Sequence, residues 1–200
     1  DGSEFKLRQD SRYPWDGAVK LTLDTCKDAP FEIMLRIPDW AEEATITVNG
    51  EDAGVETEPG TYARIERPWK TGDVVALDMP MDIKLMEGHP RIEEVRNQVA
   101  IKRGPVVYCV ESPDLPKNTE ILDVYLPVDS SLEAEYQEEF LGGMTTVGGT
   151  VLLRKDKNKG MYRTLRQPTW EAFETQFVPY YAWCNRGQSE MTVFMPVVWK

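Results

Sequence analysis

Residues 31–50 read FEIMLRIPDWAEEATITVNG, and two strand-like patterns in these residues predict the fold class. Apolar and polar side chains alternate over residues 31–37 and again over residues 44–48, which is the period of a β-strand with one buried face. Pro38 cannot donate a backbone hydrogen bond, so it ends the first strand. The pair Asn49-Gly50 is typical of hairpin turns, because both residues accept a positive φ. The stretch therefore predicts a central hairpin of two antiparallel strands.

The same alternation recurs on both sides of this stretch, between turns rich in glycine and proline. It predicts further strands over residues 5–7, 19–23, 62–66, 75–79, 121–128, 150–154 and 191–198, and two apolar strands over residues 99–110 that are broken at Gly104-Pro105. Residues 132–140 are acidic with a weak helical spacing, and no long amphipathic helix is evident. Many short strands at this spacing are typical of a sandwich or a jelly roll. We expect an all-β protein made of two small antiparallel β-sandwich, jelly-roll-like domains.

The turn-forming stretch at residues 87–90, Glu-Gly-His-Pro, is the candidate boundary between these domains. A chain of 200 residues suits either one large β domain or two small ones. The excess of acidic residues lies mainly in the first 90 residues, which favours a division. We expect a first domain over residues 1–88 and a second over residues 89–200, with strands shared across the boundary as an open alternative.

Charge and hydropathy narrow the classes of partner. The formal net charge is −11, and an acidic surface repels phosphates, so we expect no nucleic-acid partner. No run reaches the roughly 18 apolar residues that a membrane helix needs, so we expect no membrane partner. The first four residues, Asp-Gly-Ser-Glu, are polar and unlike a signal peptide.

The cysteines and the histidine match no catalytic or metal-binding pattern. Cys26, Cys109 and Cys184 are odd in number and widely spaced, which fits neither a disulfide framework nor a set of metal ligands. We expect all three thiols to be free and mainly buried. His89, the single histidine, has no motif around it that would place it in a nucleophilic triad.

Carboxylates are plentiful, and glycoside hydrolysis uses two of them on either side of one bond. The pairs Glu42-Glu43, Glu93-Glu94 and Glu138-Glu139 are the obvious candidates. Adjacent residues on a strand point to opposite faces, so we interpret these pairs as solvated surface charge. No residue of the chain is predicted to be catalytic or to bind a metal.

Aromatic side chains give the stronger signal for binding, since they can stack on sugar rings but also fill cores and interfaces. The candidates are Trp15, Trp40, Trp69, Trp170, Trp183 and Trp199 with Tyr62, Tyr180 and Tyr181. Near the last turn, Tyr180, Tyr181, Trp183 and Arg186 are predicted binding residues, either at an interface or in contact with a sugar. We favour the interface, because a buried Cys184 would fit packing and Arg186 could make fixed hydrogen bonds to a neighbouring strand or domain.

Six stretches of the chain, in order and with matching spacing, resemble one enzyme family. They are residues 13–17 (YPWDG), 35–41 (LRIPDWA), 48–50 (VNG), 62–73 (YARIERPWKTGD), 99–111 (VAIKRGPVVYCVE) and 179–187 (PYYAWCNRG). Together they are similar to the C-terminal part of glycoside hydrolase family 127, the β-L-arabinofuranosidase-like enzymes. The resemblance runs from near the first residue to near the last.

The resemblance implies an architecture that reaches beyond this chain. In that family a helical (α/α) barrel carries the active site, with a cysteine nucleophile, a zinc-binding cysteine cluster and an acidic residue. The C-terminal part is a non-catalytic β-sandwich region that packs on the barrel and, in some members, forms a dimer contact. Neither Cys26, Cys109 nor Cys184 matches the family's catalytic or zinc cysteines by position or spacing. Zinc is therefore implied only for the catalytic part of the parent enzyme.

We therefore expect a non-catalytic β-sandwich region of a glycoside hydrolase, inactive alone, that supports the barrel and shapes a subunit interface. Its expected partners are the barrel, a second copy in a homodimer and a plant-derived oligosaccharide, and the resemblance implies a bacterial periplasmic or cytoplasmic parent. One alternative is a free-standing carbohydrate-binding module, and another is a complete small hydrolase.

Overall fold

The computed structural model describes residues 4–27, 29–157 and 160–199. Within these residues the protein is all-β, as expected, with no α-helix and only single 3-10 turns between strands. The strands are β1 (Lys6–Ser11), β2 (Val19–Thr25), β3 (Ala29–Arg36), β4 (Thr45–Val48), β5 (Glu51–Asp52), β6 (Tyr62–Trp69), β7 (Val74–Asp78), β8 (Ile83–Glu87), β9 (Gln98–Arg103), β10 (Val106–Glu111), β11 (Val124–Pro127), β12 (Glu133–Gln137), β13 (Met144–Arg154), β14 (Trp170–Pro179), β15 (Met191–Thr192) and β16 (Phe194–Val198). The 3-10 turns are Glu93–Val95, Ser112–Asp114, Ile121–Asp123, Phe140–Gly142 and Tyr180–Ala182.

Backbone proximity divides the chain into two compact units, residues 1–82 and residues 83–200. The predicted boundary would leave β8 with the first domain. In the structure β8 pairs with β9 from Ile83 opposite Arg103 to Glu87 opposite Val99, so it belongs to the second unit. In the described part of the chain no helix is long and apolar enough to cross a membrane.

The first unit consists of two antiparallel sheets over one core. One sheet has the strand order β1-β2-β7-β4-β5, and the other contains β3 and β6. Both sheets contribute fully buried side chains to the core, such as Leu23 and Val75 from the first and Trp69 from the second. The indole nitrogen of Trp69 donates a hydrogen bond to the carbonyl oxygen of Phe31 at 2.9 Å, so this large side chain is buried with its polar atom satisfied.

The central stretch is not the hairpin that its sequence predicts. β3 pairs with β6, whereas β4 pairs with β7 and β5, so the two central strands lie in different sheets. The turn at Asn49-Gly50 is present, with φ of 53° and 85°, but it joins β4 to the two-residue strand β5. The prediction missed this because an alternating pattern shows which face of a strand is buried and carries no information about its partner.

The Asn49 side chain also ties this turn to the neighbouring strand. Its amide nitrogen donates to Asp73 Oδ1 at 2.9 Å, and its amide oxygen accepts from the Val74 N–H at 2.8 Å. The hydrogen bond from Asn49 is the largest cause that lowers the pKa of Asp73 below its ordinary value. The turn is therefore held both by its own backbone angles and by β7.

The strands of the second unit pair in a closed ring. β10, β14, β13, β11, β16 and β9 are neighbours in that order, and β9 pairs back onto β10. β8, β12 and β15 join this ring at β9, β13 and β10. A ring of six paired strands is a barrel, which leaves no free edge in the ring, and the predicted jelly-roll sandwich does not describe this pairing.

Residues 132–140, with their weak helical spacing, are also not helical. Residues Glu133–Gln137 form β12, which pairs along β13 from Glu133 opposite Gly148 to Gln137 opposite Met144. The local preference is weak, and pairing with a long neighbouring strand overrides it.

The barrel core is apolar with one aromatic hydroxyl inside it. Tyr108, Phe177, Leu126 and Met195 are completely buried. The hydroxyl of Tyr108 donates a hydrogen bond to the carbonyl oxygen of Thr145 at 3.1 Å. Burial is the main reason why the pKa of Tyr108 is raised to about 12, so the hydroxyl stays protonated and keeps this bond.

Candidate functional site

The three predicted aromatic binding residues lie on the surface just after β14. Residues Tyr180–Ala182 form a 3-10 turn in which only Ala182 is buried. Tyr180, Tyr181 and Trp183 are 47%, 61% and 40% exposed. The indole nitrogen of Trp183 donates a hydrogen bond to the carbonyl oxygen of Ser189 at 3.3 Å, across the turn that follows Trp183. We call residues 180–183 the aromatic segment.

Arg186 differs from these aromatic residues because its side chain is mostly buried, with 20% exposed. One guanidinium nitrogen, Nη1, donates to Asp114 Oδ1 at 2.8 Å. The other, Nη2, donates to Glu111 Oε2 at 2.6 Å and also to Asp114 Oδ2. Arg186 therefore bridges the end of β10 and the 3-10 turn that follows it, and we call Glu111, Asp114 and Arg186 the ion-pair cluster.

Glu111 is the centre of this cluster and is completely buried. Its Oε1 accepts the backbone N–H of Cys184 at 3.0 Å and the Ser189 hydroxyl at 2.7 Å. Burial raises the pKa of Glu111, but the hydrogen bonds from Arg186, the Cys184 N–H and Ser189 outweigh burial and bring it below its ordinary value. A carboxylate that is kept ionised and out of solvent is unsuited to donate a proton as a general acid.

Arg186 is held as firmly as the carboxylates. The hydrogen bond to Asp114 is the largest cause that raises the pKa of Arg186, and the bond to Glu111 adds to it against the opposing effect of burial. The guanidinium carbon also lies 5.1 Å from the centroid of the Phe140 ring, a cation–π distance. Its Nε is buried without a hydrogen-bond partner. The cluster thus fixes the turn that follows the aromatic segment, at the cost of one unsatisfied donor.

The three cysteines are free, but they are not all buried as predicted. Cys109 is buried, and burial is the main cause that raises the pKa of its thiol to about 12. Cys26 is half-buried and Cys184 is exposed, with a φ of 69°. The expectation of a buried Cys184 is therefore wrong, and Cys184 no longer supports an interface at the aromatic segment. Across residues 4–27, 29–157 and 160–199, no group of three or more His, Cys, Asp or Glu side chains could hold a metal ion.

The remaining sequence candidates also lie at the surface. The glutamate pairs at positions 42–43, 93–94 and 138–139 are all exposed. His89 is exposed as well, and its Nδ1 accepts the backbone N–H of Arg91 at 3.2 Å. These residues come together at no common site in the described structure of either unit.

Sequence reasoning missed Glu111, Asp114 and Ser189, which are joined with Arg186 by hydrogen bonds in the second unit. One signal was available: Glu111 directly follows the apolar run of β10, where an acid requires a buried partner. That partner lies 75 residues away in the chain, so the sequence alone could not identify it.

Comparisons with known proteins agree over nearly the whole chain. Residues 1–81 match the family model described as the middle domain of GH127 β-L-arabinofuranosidase, and residues 83–196 match the C-terminal domain of glycoside hydrolase family 127. A non-reducing end β-L-arabinofuranosidase of Bifidobacterium longum subsp. longum is 33% identical over 202 residues, which cover 96% of this chain. The chain spans only 30% of the length of that relative.

Solved structures show the same relationship. A glycoside hydrolase superposes with a TM-score of 0.90 at 38% identity, over 97% of this chain and 32% of its own. A GH127 β-L-arabinofuranosidase of Geobacillus stearothermophilus T6 gives 0.89 at 35% identity, over 99% of this chain and 31% of its own. A GH127 β-arabinofuranosidase gives 0.85 at 27% identity, over 98% and 32%.

Proposed function

Because the chain belongs to glycoside hydrolase family 127, we propose that it is the non-catalytic β-region of a β-L-arabinofuranosidase-like enzyme. In this proposal it supports a catalytic part that lies outside the two matched domains. The observation that carries the proposal is the coverage: the middle and C-terminal family models account for residues 1–81 and 83–196. The chain also corresponds to only 30% of the curated relative, so most of that enzyme lies elsewhere.

The chemistry of the described residues supports a structural role. The most buried carboxylate, Glu111, is neutralised by Arg186 and saturated with hydrogen bonds, so it has no proton to give and no access to a substrate. Cys109 is buried with a raised pKa, which disfavours the thiolate that a nucleophile needs. The zinc that the family resemblance implies does not fit the three cysteines, which are separated in the sequence and differ in exposure. We therefore assign zinc and the nucleophile to the catalytic part.

In this proposal the chain supports the catalytic part through a surface whose backbone is held in place, the aromatic segment. The ion-pair cluster anchors the turn after the aromatic segment, so Tyr180, Tyr181 and Trp183 are presented on a fixed backbone. A segment whose backbone is already fixed loses little backbone entropy when it is covered. We propose that the aromatic segment contacts the catalytic barrel or a second copy of the chain. For the first unit, where two sheets share one core, we also retain the sandwich description.

Activity of the purified chain tests this proposal. The chain is incubated with 4-nitrophenyl β-L-arabinofuranoside, with and without added zinc, and release of nitrophenol is followed. We expect no turnover above the rate in buffer. Turnover that a single glutamate or cysteine substitution abolishes would show that this region is catalytic and would contradict the proposal.

Trp183→Ala tests the role of the aromatic segment, with Trp199→Ala as the matched control because Trp199 is also exposed, at 76%. We expect Trp183→Ala alone to change the association state of the chain in sedimentation velocity. Tryptophan fluorescence is then followed during titration with an arabinose-containing oligosaccharide. Saturable binding that is lost in Trp183→Ala would instead assign the aromatic segment to sugar contact.

A further inference from the structure

A polar groove of about 730 Å³ lies over β12, β13 and β14 of the second unit, apart from the aromatic segment. The strand register brings alternate residues to this face in rows. Glu133 and Gln176 lie on either side of Gly148, and Thr150 lies opposite Glu174. The volume falls within the range of about 300–1,000 Å³ that is typical of small-molecule sites.

Gly148 lies at the base of the groove, and its lack of a side chain leaves space above the backbone. A Cβ atom added at Gly148 would have only one neighbour within 4 Å, the Glu133 carbonyl oxygen at 4.0 Å. Glycine weakens the interior of a strand, and it is often found there where the strand bends or where a ligand or another backbone approaches closely. Gly148 does not have a positive φ, so no backbone requirement explains it.

The polar side chains of the groove are held in place before any ligand arrives. Gln137 Nε2 donates to Thr146 Oγ1 at 2.8 Å and to Gln176 Oε1 at 3.4 Å. Gln176 Nε2 donates in turn to Asp114 Oδ1 at 2.8 Å, the oxygen that also accepts from Arg186. The amides of Gln137 and Gln176 are therefore oriented by a chain of hydrogen bonds that ends in the ion-pair cluster.

The negative charge of the groove narrows the chemical class of ligand that it could bind. Its described lining contains Glu133, Glu135 and Glu174 and no lysine or arginine, so an anion would be repelled. No cluster there could hold a metal ion, as found for all the described residues. Carboxylates accept strong hydrogen bonds from hydroxyl groups, and fixed amides and threonine hydroxyls can complete the pattern around a polyol. A basic peptide would use the carboxylates alone and would leave the oriented amides without a role.

We propose that the polar groove is a binding site for a neutral saccharide, whose hydroxyl groups bond to its glutamates and to the oriented amides. The inference goes beyond the proposed function, because a supporting role needs no ligand on this face. Only the choice of an arabinose-containing probe rests on that function.

Nuclear magnetic resonance of the 15N-labelled chain tests the proposal, with an arabinose-containing neutral trisaccharide as the probe. We expect saturable shifts in the side-chain NH2 signals of Gln137 and Gln176 and in the backbone amides of residues 146–150. Gly148→Leu, which fills the groove floor, should weaken binding at least tenfold. Ala172→Leu is the matched control: it adds the same side chain at an exposed position of β14 outside the groove and should leave binding unchanged.

Three results would overturn the proposal. The trisaccharide could leave these signals unmoved, or it could shift only the signals of the aromatic segment and be blocked by Tyr181→Ala. In the third, a hexalysine peptide shifts the groove signals and the trisaccharide does not, which would assign the groove to a basic partner. All three are independent of the activity assay above, so the groove and the supporting role can fail separately.

Discussion

Removal of Arg186 should destabilise the second unit strongly, because it leaves buried carboxylates without a counter-ion. The side chains of Glu111 and Asp114 are 0% and 7% exposed. Breaking a buried ion pair by removing one partner costs about 3–5 kcal/mol, so we expect Arg186→Met to lower the free energy of unfolding by that amount. At about 2–4 °C per kcal/mol for a chain of this length, the melting temperature should fall by about 10 °C.

Urea denaturation followed by far-UV circular dichroism measures the effect. Arg64→Met is the matched control, since Arg64 is 70% exposed and lies 3.9 Å from Glu32, and it should cost no more than about 0.5 kcal/mol. The double variant Glu111→Gln/Arg186→Met should recover about half of the loss, because it removes one uncompensated buried charge. An Arg186→Met variant within about 0.5 kcal/mol of the parent would refute the view that the cluster anchors this turn.

Three further predictions concern pH, Gly50 in comparison with Gly148, and Gly17. The pKa of Glu111 in the folded state lies below its ordinary value of 4.5, so the ionised carboxylate stabilises the fold above that pH, and this stabilisation is lost as the pH falls. In urea titrations from pH 6 to pH 3, the difference in unfolding free energy between the parent and Arg186→Met should therefore become smaller. A difference that stays constant would contradict the role given to Glu111. Gly50→Val should cost at least about 1 kcal/mol in the same assay, because φ at Gly50 is 85°; no atom lies within 4 Å of the added Cβ, so the cost comes from the backbone and not from a clash. Gly148→Val, at a position where φ is not positive, should cost less, and an equal cost would contradict this reasoning. Gly17→Ala should cost at least about 2 kcal/mol, since the new Cβ would lie 1.8 Å from the Met79 carbonyl oxygen, and a thermal melt like that of the parent would contradict this.

The fold class could be predicted from the sequence because apolar residues alternate with polar ones wherever one face of a strand is buried. The patterns around Phe31, Leu21 and Val75 correspond to β3, β2 and β7, and the Asn49-Gly50 turn has the expected positive φ at both positions. The pattern could not show that β3 and β4 belong to different sheets, since partner choice depends on contacts far apart in the chain. The closed ring of the second unit depends on β9 pairing with both β10 and β16, which the sequence also does not encode locally.

The candidate sites show the same limit. The aromatic segment could be identified from the sequence. Glu111 could only be expected to have a buried partner, and the sequence could not show that Arg186, more than 70 residues away, binds both Glu111 and Asp114. The polar groove was hidden for a related reason. Residues 132–140 show a weak helical spacing, and only their pairing with β13 places Glu133, Glu135 and Gln137 beside Thr146 and Gly148.

We propose that this region supports catalysis without supplying catalytic groups, and the activity of a chimera tests this proposal. The matching region of the Bifidobacterium longum relative, which is 33% identical, is replaced by this chain, and the hydrolysis of 4-nitrophenyl β-L-arabinofuranoside is measured beside a thermal melt. We predict that the chimera folds and keeps kcat within about tenfold of the relative, a change of about 1.4 kcal/mol in the barrier. A chimera that melts like the relative but whose kcat falls more than about a thousandfold, on the order of 4 kcal/mol in the barrier, would show that the region contributes to the chemistry and would contradict the proposal.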